Sequence, residues 1–314
     1  MNVLCMVMAF GHHGGLFEKL PDYVTQYPEW ATRNTWITCK AITTGRANAT
    51  ASSMGQYIYV FGGYDGSSTV YSTVEGYNTV NNTWSARTDL PEPRCEVTSC
   101  TVNERIYVIG GQNASFANTK TNYKFNPYAN SWETKTAMPT ARYCMCAVNV
   151  NNAIYVIGGA TNTTTPSNKN EYYNTLTDTW TTRANMTTAR MDLTCAAVGT
   201  NVYAMGGRTA STGSSLNTNE CYDASTNTWT AKTNITATRV NACSATINGK
   251  IYLTNGNTSS YTYCYDPVAN TWTSKASISS AGESGVSAVV ANNMYVLTGY
   301  NGGIKNTFYC YIPN

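Results

Sequence analysis

The chain has 314 residues, 42% of them hydrophobic and only 12% charged. That is enough apolar content for a sizeable core, which excludes disorder and a collagen-like repeat. The 20 Lys+Arg against 17 Asp+Glu leave a net charge of +3 with no basic run, so the footprint of a nucleic-acid binder is missing. Thr and Asn make up about a quarter of the residues, in place of the charge of an ordinary domain, and give a neutral hydroxyl and amide surface.

Residues 1–34 precede any regular pattern. The apolar stretch from Val3 to Phe10 falls short of the ~18 residues that span a bilayer, so no membrane insertion is expected. It also lacks the basic n-region and small-residue cleavage site of a secretory leader. Phe17, Leu20, Tyr23, Tyr27 and Trp30 make the segment too apolar for a plain tail. It is expected to pack along the rest of the chain or to dock into another subunit of a larger assembly. His12 and His13, the only histidines, are adjacent in this segment, and neighbours in an extended chain point opposite ways. No metal or other cofactor is expected.

From residue 35 a repeat sets in. Ile58-Tyr59-Val60-Phe61-Gly62-Gly63 recurs at Ile106, Ile154, Val202, Ile251 and Met294, with starts 48, 48, 48, 49 and 43 residues apart. Each copy is a β-branched and aromatic run stopped by glycine, the signature of a short strand. An aromatic followed seven residues later by Trp marks a second pair of strands: Tyr77 and Trp84, Phe125 and Trp132, Tyr173 and Trp180, Tyr222 and Trp229, Tyr265 and Trp272. Ten residues after Trp stands Arg46, Arg94, Arg142, Arg190 or Arg239, with Gly282 at the sixth position, and twelve residues later the apolar strand begins again. All length variation falls between the glycines and the next aromatic, at 14, 14, 14, 15, 9 and 12 residues. Four strands per ~48 residues without helical periodicity describe an all-β, six-bladed propeller of four-stranded antiparallel blades over residues 35–314. The sixth copy ends after its third strand, whereas Trp36 has no preceding aromatic partner, so the N-terminal strand is expected to complete the last blade.

Arg, double Gly, Tyr and Trp in this order resemble the kelch repeat, over about residues 35 to 314. Asn255 and Thr298 replace the first glycine in blades five and six, and the sixth blade lacks the Arg. Kelch domains similar to this one bind partner peptides, often acidic, on the face that carries the second-to-third and fourth-to-first strand loops. The resemblance therefore implies a non-enzymatic module that binds a protein or glycan there. Arg46, Arg94, Arg142, Arg190 and Arg239 suit carboxylate contacts, although a residue repeated in five blades of six is more simply explained by the blade itself, as are Glu75, Glu171 and Glu220, which share one third-strand position. Where the repeat is broken on that face, Tyr64, Arg208 and Tyr300 are the contact candidates. Two residues after the Arg position stand Asn48, Glu96, Cys144, Asp192, Asn241 and Ser284. Glu96 and Asp192 lie two blades apart and are not read as a catalytic pair. The alternative is a metal-free carbohydrate-active enzyme, similar to kelch sialic-acid mutarotases. Galactose oxidase is excluded because the repeat holds no His.

The 11 cysteines are an odd number, and Cys221, Cys264 and Cys310, like Cys146 and Cys243, fall at equivalent places in different blades. Equivalent places lie too far apart to bond, so these residues are expected to be buried free thiols of a chain that folds in a reducing compartment. Seven N-x-S/T sequons are attributed to the Asn and Thr content, without inferring glycosylation. Together with the neutral surface, these features suit a virion or surface component folded in a cytoplasm.

Overall fold

The computed structural model describes residues 33–162 and 165–314. Most of the N-terminal segment expected to pack or dock therefore lies outside the described residues. The rest forms 24 strands in six four-stranded antiparallel sheets, with no helix among the described residues.

The first blade shows the plan. β2 (Thr50–Met54), β3 (Tyr57–Phe61), β4 (Val74–Asn78) and β5 (Thr83–Arg87) pair in chain order. The inner strands of all six blades, β2 with β6 (Thr98–Val102), β10 (Cys146–Val150), β14 (Thr194–Val198), β18 (Cys243–Ile247) and β22 (Val286–Val290), carry small Ala, Ser, Thr and Cys side chains and pack against one another around the axis. The second strands, β3 among them, are buried over at least their last four residues, as covering on both faces requires. The outermost strands are largely exposed, with Trp half-buried.

The seven-residue spacing places each aromatic directly across from its Trp, as in Tyr77 and Trp84 with ring centroids 5.0 Å apart. The last blade is completed from the other end of the chain, because β1 (Thr35–Cys39) pairs with β24 (Phe308–Ile312) beside β23 (Asn293–Leu297) and β22. Trp36 faces Tyr311 at the same 5.0 Å.

Neighbouring blades are joined by one repeated clamp. The indole of each of the six blade Trp residues donates to a backbone carbonyl of the preceding blade, Trp84 to Lys40, Trp132 to Thr88, Trp180 to Thr136, Trp229 to Ala184, Trp272 to Thr233 and Trp36 to Ala276, at 2.7–3.0 Å. The N–H of that same residue donates to an Asn or Asp two positions before the Trp: Asn82, Asn130, Asp178, Asn227, Asn270 and Asn34. Each of these residues has φ between 49° and 62°, the left-handed region that Asn and Asp tolerate best among residues with a Cβ.

One expectation about the cysteines is overturned. Cys146 and Cys195 form a disulfide with Cα atoms 5.8 Å apart. They are not at equivalent places, since Cys146 lies four residues after its Arg and Cys195 five. The inner strands β10 and β14 converge around the axis, which brings these offset positions within bonding reach. Cys221, Cys243 and Cys264 are buried free thiols, and Cys310 is likewise buried and outside any disulfide, as expected.

Candidate functional site

The five repeated arginines are 0–3% exposed. Arg46, Arg142 and Arg190 form ion pairs with Glu75, Glu171 and Glu220 of the third strand at 2.5, 2.7 and 2.7 Å. Tyr123 and Tyr263 occupy that third-strand position in the second and fifth blades, and there Arg94 and Arg239 lie over the rings, 5.8 and 5.3 Å from the centroids. Arg94 also bonds Glu92 at 2.9 Å. In the first, third and fourth blades the Arg Nη1 donates to the carbonyl of the first glycine, Gly62, Gly158 or Gly206. The second glycine donates to the carbonyl at the Arg position of the next blade, as Gly63 to Arg94 at 2.7 Å. The double glycine is thus required by close approach: a Cβ on Gly62, at φ 61°, would meet the Arg94 carbonyl oxygen at 2.2 Å. Burial lowers the pKa of Arg46, Arg142 and Arg190, and the facing glutamates hold it up. These guanidiniums work inside the blade, linking its loops and glycines.

Two residues further on, the chain reaches the channel mouth. Asn48, Glu96, Cys144, Asp192, Asn241 and Ser284 all have φ of 52–56°. Their backbones are threaded together, Asn48 N–H to Ser284 C=O, then Glu96 to Asn48, Cys144 to Glu96, Asp192 to Cys144 and Asn241 to Asp192, at 2.7–3.1 Å. Glu and Cys seldom adopt this conformation, and such strain concentrates where a structure holds groups for use.

The six side chains line a cavity of about 110 Å³. Ala49, Val97, Met145, Leu193, Ala242 and Gly285 form a collar common to this cavity and to a channel of about 450 Å³ between the inner strands. At the mouth, Glu96 accepts from Asn48 Nδ2 at 3.1 Å and from Cys144 Sγ at 3.0 Å, and Asp192 accepts from Arg208 Nε at 2.5 Å. Burial raises the Glu96 pKa, reinforced by Asp192 and opposed by the thiol hydrogen bond and Arg208. Burial, with both carboxylates nearby, holds the Cys144 thiol well above its usual range, so it serves as a donor and not as a thiolate nucleophile.

Tyr64, Arg208 and Tyr300 all stand on this rim, directly after their glycines. Each bridges back to the loop of the Arg position, Tyr64 to Ala47, Arg208 to Met191 and Tyr300 to Glu283. Tyr64 lies close enough to Glu96 and Tyr300 for both to raise its pKa, after burial itself. The sequence reading omitted two neighbours. Phe116 is 44% exposed and meets Tyr64 edge-on at 6.4 Å, and Tyr261 is 62% exposed in the corresponding loop of the fifth blade. With Tyr300 at 40%, aromatics stand on the second-to-third loops of four consecutive blades: five, six, one and two. An aromatic in a loop whose equivalents are polar was the signal available in the sequence.

Family models match two long stretches of the chain. Residues 98–303 match the KLHDC2/KLHL20/DRC7 Kelch-repeats domain, and residues 9–185 match the Attractin/LZTR1 beta-propeller. Among solved structures, the one titled "Structure of YjhT" is similar with a TM-score of 0.75 at 14% identity, over 86% of this chain and 95% of that one. At that identity the likeness speaks for the fold alone. No match was found among curated proteins.

Proposed function

Because the chain belongs to the kelch-repeat β-propeller family, a fold that serves generally as a protein-interaction module, we propose that it binds a partner protein across the channel mouth. One observation carries this reading: the aromatics Tyr261, Tyr300, Tyr64 and Phe116 stand on second-to-third loops of four consecutive blades, and Tyr64, in contact with Phe116, lies near Tyr300 and Glu96 of the carboxylate-bearing cavity. Solvent-exposed Tyr and Phe grouped on one face are the anchors that interfaces favour, whereas a scatter of single apolar residues is ordinary surface. Tyr64 and Tyr300 supply contact area, and Arg208, fixed by Asp192, presents the outer part of its guanidinium. Arg46, Arg94, Arg142, Arg190 and Arg239 position the loops from inside the blades and act on the partner through them.

Selection of a random-peptide library on the full chain tests the reading. Selected peptides should lose binding to the Tyr64→Ala and Tyr300→Ala variants and keep it for Leu176→Ser and Val268→Ser, whose side chains are 83% and 98% exposed on third-to-fourth turns at the other face. The opposite pattern would overturn it.

A second reading, a metal-free carbohydrate-active enzyme, draws on the Glu96 carboxyl, whose raised pKa beside Asp192 is the kind of perturbation found in acid/base sites. It requires turnover of a reducing sugar that Glu96→Gln abolishes.

A further inference from the structure

The mouth carries an uncompensated acidic group. Glu96 makes no salt bridge among the described residues. Both its hydrogen-bond donors, the Asn48 amide and the Cys144 thiol, are neutral. Arg208, the guanidinium that the described residues place on this part of the rim, is held by Asp192 at 2.5 Å. A partly buried carboxylate near the half-buried ring of Tyr64, with exposed Tyr300 close to that ring, is a setting that favours a cation, through charge and through the ring faces.

We propose that the partner protein inserts an Arg or Lys side chain into the channel mouth, with its cationic head against Glu96 and its stem along Tyr64 and Tyr300. This rests on the mouth being the docking surface and adds what that surface selects. It reverses the charge expected from the five repeated arginines, which are buried and paired and leave acid facing the cavity. Among the described residues, the titratable or charged groups that act on Glu96 or are acted on by it belong to the same cluster: Asp192, Cys144, Cys95, Tyr64, Tyr143 and Arg208. Of these only Arg208 is a cation. An incoming ammonium or guanidinium would stabilise ionised Glu96, so affinity should rise with pH through the raised range of that carboxyl.

The peptides selected on the full chain provide the probe. The proposal expects them to carry an Arg or Lys whose replacement, Arg by citrulline or Lys by norleucine, weakens binding at least about tenfold. Glu96→Gln should weaken the original peptide equally and leave the neutral analogue unaffected. The neutral peptide is read on the unaltered protein, so a folding defect in the variant cannot produce that result. If the peptides depend on Tyr64 and Tyr300 but tolerate both neutralisations, the inference is wrong and the docking surface stands. If they ignore Tyr64 and Tyr300, or the library yields no binder, the docking surface falls and the inference with it.

Discussion

The indole nitrogen of Trp36 donates to the carbonyl oxygen of Ala276 at 2.9 Å, across 240 positions of sequence. The amide of Ala276 donates in turn to the Asn34 side chain, also at 2.9 Å, and the Tyr311 hydroxyl reaches the same oxygen at 2.7 Å. The clamp that joins the other blades is thereby reproduced where the two ends of the propeller meet.

Trp36→Ala should therefore destabilise the whole ring, by about 3 kcal/mol for the lost aromatic packing and the unsatisfied carbonyl. Deleting residues 35–42 should do more, since it leaves β24 as an open edge prone to aggregation. Urea unfolding monitored by Trp fluorescence and by circular dichroism checks this. Unchanged midpoints in both variants would show that the ring does not depend on its closure.

The buried pair of Arg142 and Glu171 makes a second prediction. Removing one partner strands a buried charge, so Glu171→Ala should cost about 3–5 kcal/mol. Glu171→Tyr should cost clearly less, because Tyr123 and Tyr263 hold Arg94 and Arg239 at the same position of other blades. Thermal melts of the two variants decide it, and a Tyr variant as unstable as the Ala variant would contradict the stacking account.

Glu96 predicts a dependence on pH. A folded-state pKa above the ordinary 4.5 means the folded chain holds this proton more tightly than the unfolded one. Its contribution thus favours folding at low pH and is lost as pH rises past 4.5 through the raised value. Glu96→Gln should be at least as stable as the natural chain at pH 7, with the advantage vanishing toward acid. Melting temperatures of both chains measured from acid to neutral pH test the sign, and a variant less stable than the natural chain at pH 7 would refute it.

The Cys146 to Cys195 link closes a separation of 49 residues. In the chain-entropy view such a loop is worth about 4 kcal/mol, so reduction by dithiothreitol should lower the melting temperature. Mass spectrometry of a non-reduced digest should recover the two peptides joined. Both cysteines alkylated without prior reduction would disprove the link.

The ring was legible in the sequence because its spacings reflect geometry: seven residues from aromatic to Trp is the length of one hairpin, and the unpaired Trp36 points to closure. The Asn or Asp two residues before each of the six blade Trp residues was equally visible and carries half of each clamp, yet it reads as an ordinary turn residue until its partner in the preceding blade is known. The fate of the arginines was encoded in the third strand, where Glu75, Glu171 and Glu220 or Tyr123 and Tyr263 stand opposite them. The disulfide could not be read that way, since Cys146 and Cys195 sit at offset positions that only the convergence of the inner strands brings together. The charge of the mouth was likewise hidden, because it emerges only once the arginines are placed inside the blades and Glu96 is left at the opening.

The most direct test of the docking surface is a hydrogen-exchange footprint of a selected peptide on the full chain. The account predicts slowed exchange in the loops that carry Tyr64, Phe116, Tyr261 and Tyr300 and along the segment around Glu96, with the third-to-fourth turns at Tyr128, Leu176 and Val268 unchanged. Protection confined to those turns would place the partner on the other face and contradict the account.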